Sequence, residues 1–111
     1  MIVQSPCKVN LGLKVINQRE DGYHNILSYF IELNLFDSIE FIDSNYCHVK
    51  FTNAEIPVDN TVSNAIKLIE NNYNVNINHQ IHITKNIPLG SGLGGGSSNG
   101  AYTLKALNYL Y

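Results

Sequence analysis

The stretch Pro88-Leu89-Gly90-Ser91-Gly92-Leu93-Gly94-Gly95-Gly96-Ser97-Ser98-Asn99-Gly100-Ala101 decides how the rest of this chain is read. Five glycines fall between positions 90 and 96. A run with so few side chains leaves its backbone N–H groups accessible, and glycine tolerates the φ > 0 turns that aim them inward. Ser97 and Ser98 follow, both good helix N-cap types. Residues 99–110 then read as a helix with Ala101, Leu104 and Leu107 on one stripe. A glycine loop that opens a helix offers spare donors and the positive end of the helix dipole, which suits phosphate. A flexible Gly/Ser linker is the plainer explanation of such a run, but its flanks are apolar and patterned.

Working outward, the residues before the loop alternate. Val75, Ile77, His79, Ile81 and Ile83 take turns with Asn76, Asn78, Gln80, His82 and Thr84, a period of two that predicts a strand. His79 falls on its apolar side, where a core histidine with one hydrogen-bond partner is expected. Upstream, Val62, Ala65, Ile66 and Ile69 sit at i, i+3, i+4 and i+7, predicting a helix that begins near Asn60 and fades at Asn71 and Asn72. Earlier still, Val9, Leu11, Leu13 and Val15 alternate with Lys8, Asn10, Gly12 and Lys14, which puts Lys8 and Asn10 side by side on a polar face. Tyr29, Ile31, Leu33 and Leu35 form a second alternating run, Asp21-Gly22 marks a turn between the two, and residues 38–42 and 46–51 are shorter strand candidates. Strands, helix, strand, loop, helix predicts an α+β fold, a mostly antiparallel or mixed sheet with helices on one face.

The composition fits one soluble globular domain: 111 residues, 44% hydrophobic and 14% charged. A net charge of −2 argues against a nucleic-acid module, whose footprint is normally basic. The chain has no apolar run long enough to span a bilayer. Residues 1–8 do not read as a secretory leader, so a cytoplasmic location is expected. Cys7 and Cys47 lack metal-ligand spacing and read as reduced thiols, and the four scattered histidines give no reason to expect a metal site built of protein ligands alone.

Three familiar phosphate loops fail on this stretch. Gly90-x-Gly92-x-x-Gly95 formally fits the dinucleotide fingerprint, but no acidic residue lies in positions 101–111 to bind a ribose. A Walker loop needs a lysine that is missing here. The protein-kinase loop is followed by a strand, whereas a helix is predicted here. The remaining pattern resembles the phosphate loop of the GHMP kinases. Two further segments agree: Ser5-Pro6-Cys7-Lys8-Val9-Asn10-Leu11 is similar to that family's N-terminal Pro-Ala-Lys-x-Asn-Leu strand, and Arg19-Glu20-Asp21-Gly22-Tyr23-His24 is similar to the Arg-x-Asp-Gly-Tyr-His motif of one branch. That branch phosphorylates a cytidine-diphosphate-linked methylerythritol on the non-mevalonate isoprenoid route.

The resemblance implies the GHMP N-terminal fold, shared with a ribosomal-protein domain, over residues 1–111, and it implies ATP with Mg²⁺. It makes Lys8 the catalytic lysine beside the acceptor hydroxyl and Asn10 a substrate ligand. Tyr23 and His24 would hold the cytosine by stacking and edge contacts. Asn60 would reach the adenine, unless it simply caps its helix, and Lys85 would reach the nucleotide. Pro88, Leu89, Gly90, Ser91, Gly92, Leu93, Gly94, Gly95, Gly96, Ser97 and Ser98 would wrap the triphosphate. Cys7 and Gly100 stand where the family has alanine, the latter weakening its helix by about 1 kcal/mol. The family's catalytic aspartate, in a Gly-Ala-Asp type motif further along, is not in this chain. The expectation is therefore an N-terminal part of a kinase, inactive alone and inclined to self-associate. A nucleotide-binding module without catalysis and an RNA-binding domain are the competing readings; the charge of −2 weighs against the second.

Overall fold

In the computed structural model, the backbone is described throughout and the side chains for residues 1–10, 17–23 and 31–111. Four strands and two helices follow one another: β1 (Ile2–Gln18), β2 (His24–Asp43), β3 (His48–Phe51), α1 (Thr61–Tyr73), β4 (His79–Thr84) and α2 (Gly95–Leu110). The sheet has the order β1-β2-β4-β3. β1 and β2 form a long antiparallel hairpin, β4 pairs antiparallel with β2, and β3 runs parallel to β4. Parallel neighbours need a crossover connection, and α1 supplies it. The α+β class with a mixed sheet holds.

One sheet face carries the core. Ile39 and Phe41 of β2 and Ile81 and Ile83 of β4 point inward and meet Val62, Ile66 and Ile69 of α1 and Ala106 and Leu107 of α2. Alternate residues of β4 are only half-buried, as period-two geometry requires. Ile83, with no exposed surface at all, contributes about 1.5–3 kcal/mol through that burial. No helix among the described residues is long and apolar enough to cross a membrane.

Local chemistry explains the boundaries. β1 and β2 slip register between Pro6 and Lys8, where proline lacks the N–H a ladder needs. α1 begins in a reciprocal cap: Ser63 N–H donates to Asn60 Oδ1 and Asn60 N–H donates to Ser63 Oγ, both at 3.0 Å. It ends at Asn74 in the left-handed region, φ 50°. That end falls two residues beyond the expected fade.

Several sequence expectations shift. The two strands expected at 29–36 and 38–42 are one strand, β2, with Asp37 on its buried side. The strand expected from Val75 begins only at His79, although Ile77 is still buried. His79 has two side-chain partners rather than one, the Tyr111 hydroxyl at 2.7 Å and Asp43 at 3.0 Å. The helix after the loop begins at Gly95, so Ser97 and Ser98 lie inside its first turn, and its N-cap is Gly94. Its buried side runs through Gly95, Asn99, Thr103, Ala106 and Leu107, leaving Ala101 exposed.

Candidate functional site

The glycine loop connects β4 to α2 and is shaped by three alternate glycines. Gly90, Gly92 and Gly94 have φ of 67°, 76° and 72°, a region that other L-residues enter at a cost of about 1–2 kcal/mol each. The first turn of α2 receives no side-chain cap from its N-cap residue, Gly94. Its leading N–H groups are therefore available to an anion, with the positive end of the helix behind them. α1 begins at the same place. The Thr61 hydroxyl donates to the Gly96 carbonyl at 2.6 Å, and Thr61 joins Lys85 and residues 88–97 in lining a groove of about 390 Å³.

A second groove, of about 510 Å³, lies across Gly94 and Ser97 from the first. Pro6, Cys7, Lys8 and Glu32 form its sheet side, and Ser98, Ala101 and Tyr102 its helix side. The two grooves share Gly94 and Ser97. Lys8 stands at this junction. Its N–H donates to the Leu93 carbonyl at 2.9 Å, tying β1 to the loop. Its Nζ donates to Asn10 Oδ1 at 3.3 Å, so the two side chains share a face as the alternation predicts. A methyl group on Gly94 would come within 2.9 Å of Lys8 Cε. The lysine stem lies directly over the loop.

Beneath the loop is a buried polar cluster that the sequence reading did not find. Asp37 Oδ1 accepts from the Asn86 and Ile87 N–H groups at 2.6 and 2.9 Å. Asp37 Oδ2 accepts from Lys85 Nζ at 2.5 Å and from Asn99 Nδ2 at 3.0 Å. Lys85 Nζ also donates to Asn99 Oδ1 at 2.8 Å, and Asn99 Nδ2 donates to Ser5 Oγ at 2.9 Å. Ser5 Oγ in turn shares a hydrogen bond of 2.9 Å with Ser98 Oγ. Burial works to raise the Asp37 pKa, but donation from Ile87, Lys85, Asn99 and Asn86 outweighs it and holds the carboxyl below its usual 3.8. The one available signal was positional: Asp37 occupies the inward register of Leu33, Leu35, Ile39 and Phe41, where a carboxylate needs partners.

The remaining candidates are placed as follows. The Asn60 amide is engaged in its cap, with Nδ2 donating to the Pro57 carbonyl at 2.8 Å. The Lys85 ammonium is paired with Asp37 in the buried cluster, while the residue also lines the loop groove. Tyr23 is exposed in the hairpin turn, beside the Arg19 guanidinium at 5.8 Å, with its N–H donating to Asp21. Among the described residues its interactions stay within the turn. His24 lies outside the residues whose side chains are described. Among the described residues no three His, Cys, Asp or Glu side chains gather as a metal site.

Known proteins resemble this chain in sequence and fold. Residues 60–111 match the GHMP kinases N terminal domain. A 4-diphosphocytidyl-2-C-methyl-D-erythritol kinase of Francisella philomiragia is 46% identical over 112 residues, covering 97% of this chain and 41% of the relative. The crystal structure of a 4-(cytidine 5'-diphospho)-2C-methyl-D-erythritol kinase superposes with a TM-score of 0.84 at 37% identity, over 100% of this chain and 41% of that one. A homoserine kinase from Cytophaga hutchinsonii gives a TM-score of 0.68 at 26% identity, over 98% of this chain and 34% of the other. The chain spans about two fifths of the length of the curated relatives it matches.

Proposed function

Because this chain belongs to the GHMP kinase family, we propose that it forms the nucleotide- and acceptor-binding part of an ATP-dependent kinase acting on a hydroxyl of 4-diphosphocytidyl-2-C-methyl-D-erythritol. The observation that carries the reading is the meeting of two grooves at Gly94 and Ser97, with Lys8 laid across the junction. Phosphoryl transfer needs in-line placement of donor and acceptor and neutralisation of charge more than covalent help. A donor groove and an acceptor groove that share one wall supply the first requirement.

Each residue then has a task. The glycine loop and the first turn of α2 hold the triphosphate of ATP, which supplies the phosphoryl group when bound. Lys8 places its ammonium by the transferring group and orients the acceptor hydroxyl with Asn10. Tyr23 and His24 take the cytosine at the hairpin turn. Asn60, which also starts α1 so that Thr61 lines the groove, reaches toward the adenine, and Lys85, which lines the same groove while neutralising Asp37, reaches toward the nucleotide. A magnesium ion would lean on phosphate oxygens with the Ser97 hydroxyl nearby, in keeping with its preference for water and phosphate ligands.

The test pairs binding with transfer. The 111-residue chain is expected to bind MgATP in calorimetry without ordinary turnover. Grafted in place of the matching segment of the Francisella philomiragia relative, it should restore phosphorylation. Lys8→Ala in that graft should leave MgATP affinity nearly intact and lower kcat by about 10²-fold or more, the scale of losing one charge-stabilising group. A chain that does not bind MgATP would defeat the reading. A graft indifferent to Lys8→Ala would leave only a nucleotide-binding module. Self-association through the surface that the rest of a kinase would cover is part of the same proposal, and a monomer by sedimentation at high concentration would remove it.

A further inference from the structure

The carboxylate of Asp37 does two separate jobs with its two oxygens. Oδ1 holds the backbone of Asn86 and Ile87, the residues leading into the glycine loop. Oδ2 holds Asn99 on the first turns of the helix leaving it. Through Asn99 the same group reaches Ser5, three positions before Lys8 on β1, and Ser5 is bonded to Ser98. One buried acid thus ties together the loop's entrance, its exit and the strand that carries the lysine. β1 and the start of α2 wall one groove, and the glycine loop with that same start of α2 walls the other.

We propose that Asp37 is a positioning residue for the nucleotide: it fixes the spacing between the start of the glycine loop and the first turn of α2, and so pre-aims the amides that meet the phosphates. This rests on the kinase reading above. The warrant is preorganisation. Donors already held in place need no ordering when the anion arrives, and the affinity lost by loosening them is separate from the stability lost by breaking the cluster. Ile87 adds a steric half to the device, because a methyl group on Gly95 would fall 2.9 Å from its side chain. Ile87, whose N–H Asp37 holds, is the residue against which Gly95, the first of α2, packs.

The test separates positioning from plain support of the fold. Asp37→Ala, Asp37→Asn, Asn99→Ala and Ser5→Ala are made in the 111-residue chain, and melting temperature, MgATP affinity and the amide spectrum are recorded for each. Asp37→Ala should weaken MgATP binding by about tenfold or more. Asn99→Ala should weaken it severalfold. Asp37→Asn keeps an acceptor at Oδ1 and should fall between Asp37→Ala and wild type, even though it leaves Lys85 without its counter-ion. Without nucleotide, the Gly94, Gly95 and Gly96 amide signals should already be displaced in the weakened variants. If Asp37→Ala does not fold, Asn99→Ala and Ser5→Ala decide. Folded variants with lower melting temperatures, unchanged MgATP affinity and undisplaced loop amides would overturn the proposal and leave the kinase reading standing. A wild-type chain that does not bind MgATP would remove both.

Discussion

Lys8 and Leu93 are joined backbone to backbone, the Lys8 N–H donating to the Leu93 carbonyl at 2.9 Å. The bond closes the polar edge of β1 onto the glycine loop, so the strand bearing the candidate catalytic lysine and the loop bearing the candidate phosphate donors are one unit. Gly94, the next residue, has φ 72° and lies under the Lys8 stem. Gly94→Ala is expected to cost about 1–2 kcal/mol for the left-handed conformation and to push Lys8 aside as well. Thermal melts should show the loss, and MgATP affinity should fall with it.

Gly96 gives the opposite pairing. Its φ is not in the left-handed region, and a methyl group there would meet nothing within 4 Å. Neither backbone strain nor packing against the protein calls for glycine at this helical position. Close approach of a ligand is the remaining physical reason. Gly96→Ala is expected to raise stability by up to about 1 kcal/mol while weakening MgATP binding. A variant that is more stable and binds as well as wild type would count against phosphate contact at this turn.

Gly100 is a packing position. Helix propensity alone predicts that Gly100→Ala stabilises α2 by about 1 kcal/mol. The structure reverses the sign, since the new Cβ would lie 2.9 Å from Thr61 Cβ and 3.2 Å from the Thr61 carbonyl oxygen. Neither atom is the free end of a flexible side chain. Forcing α1 and α2 apart should cost about 1–3 kcal/mol, and urea unfolding should show Gly100→Ala less stable than wild type.

What the sequence made legible follows from periodicity. α1 announced itself because Val62, Ala65, Ile66 and Ile69 keep helical spacing. β4 did so because Ile81 and Ile83 alternate with polar neighbours. The glycine loop was readable because composition alone requires unusual backbone there. Asp37 was not, because an acid in an inward register looks like the end of a strand until Lys85 and Asn99 arrive from 48 and 62 positions away. The pairing of Lys85 with Asp37 was hidden for the same reason: its local setting beside the loop points to the groove it lines, and only the fold brings the carboxylate to it. The buried side of α2 was legible only at Leu104 and Leu107; its first half is built from Gly95, Asn99 and Thr103, residues no hydrophobic pattern marks.

Asp37 should also set the acid limit of the fold. Its folded pKa lies below the ordinary 3.8, which stands for the unfolded chain. Above that value both states are ionised and the stabilising contribution is fully present. As pH falls through it toward the folded value, the unfolded chain takes the proton first and the contribution drains away. Melting temperature should decline below about pH 4. Asp37→Asn should melt lower than wild type at pH 7 and show a shallower decline below pH 4. Parallel slopes for the two proteins would assign the acid transition to other carboxylates.

Cys47 provides a reactivity test away from the grooves beside the loop. Its thiol is pushed up from 9.0 by burial and then by the carboxylate of Glu70, which disfavours a nearby thiolate. The thiolate is the reactive form. Cys47 should therefore react with an alkylating reagent more slowly at pH 8 than a cysteine in a flexible peptide. Glu70→Gln should speed it, most clearly where the thiolate fraction is still rising with pH, and the rate profile should move to lower pH. Burial is the larger cause, so the variant should recover only part of the peptide's rate. Cys7, 1% exposed, should react only on unfolding, and quantifying both labels by mass spectrometry distinguishes the two thiols. An unchanged profile in Glu70→Gln would show that the carboxylate exerts no field at the sulfur.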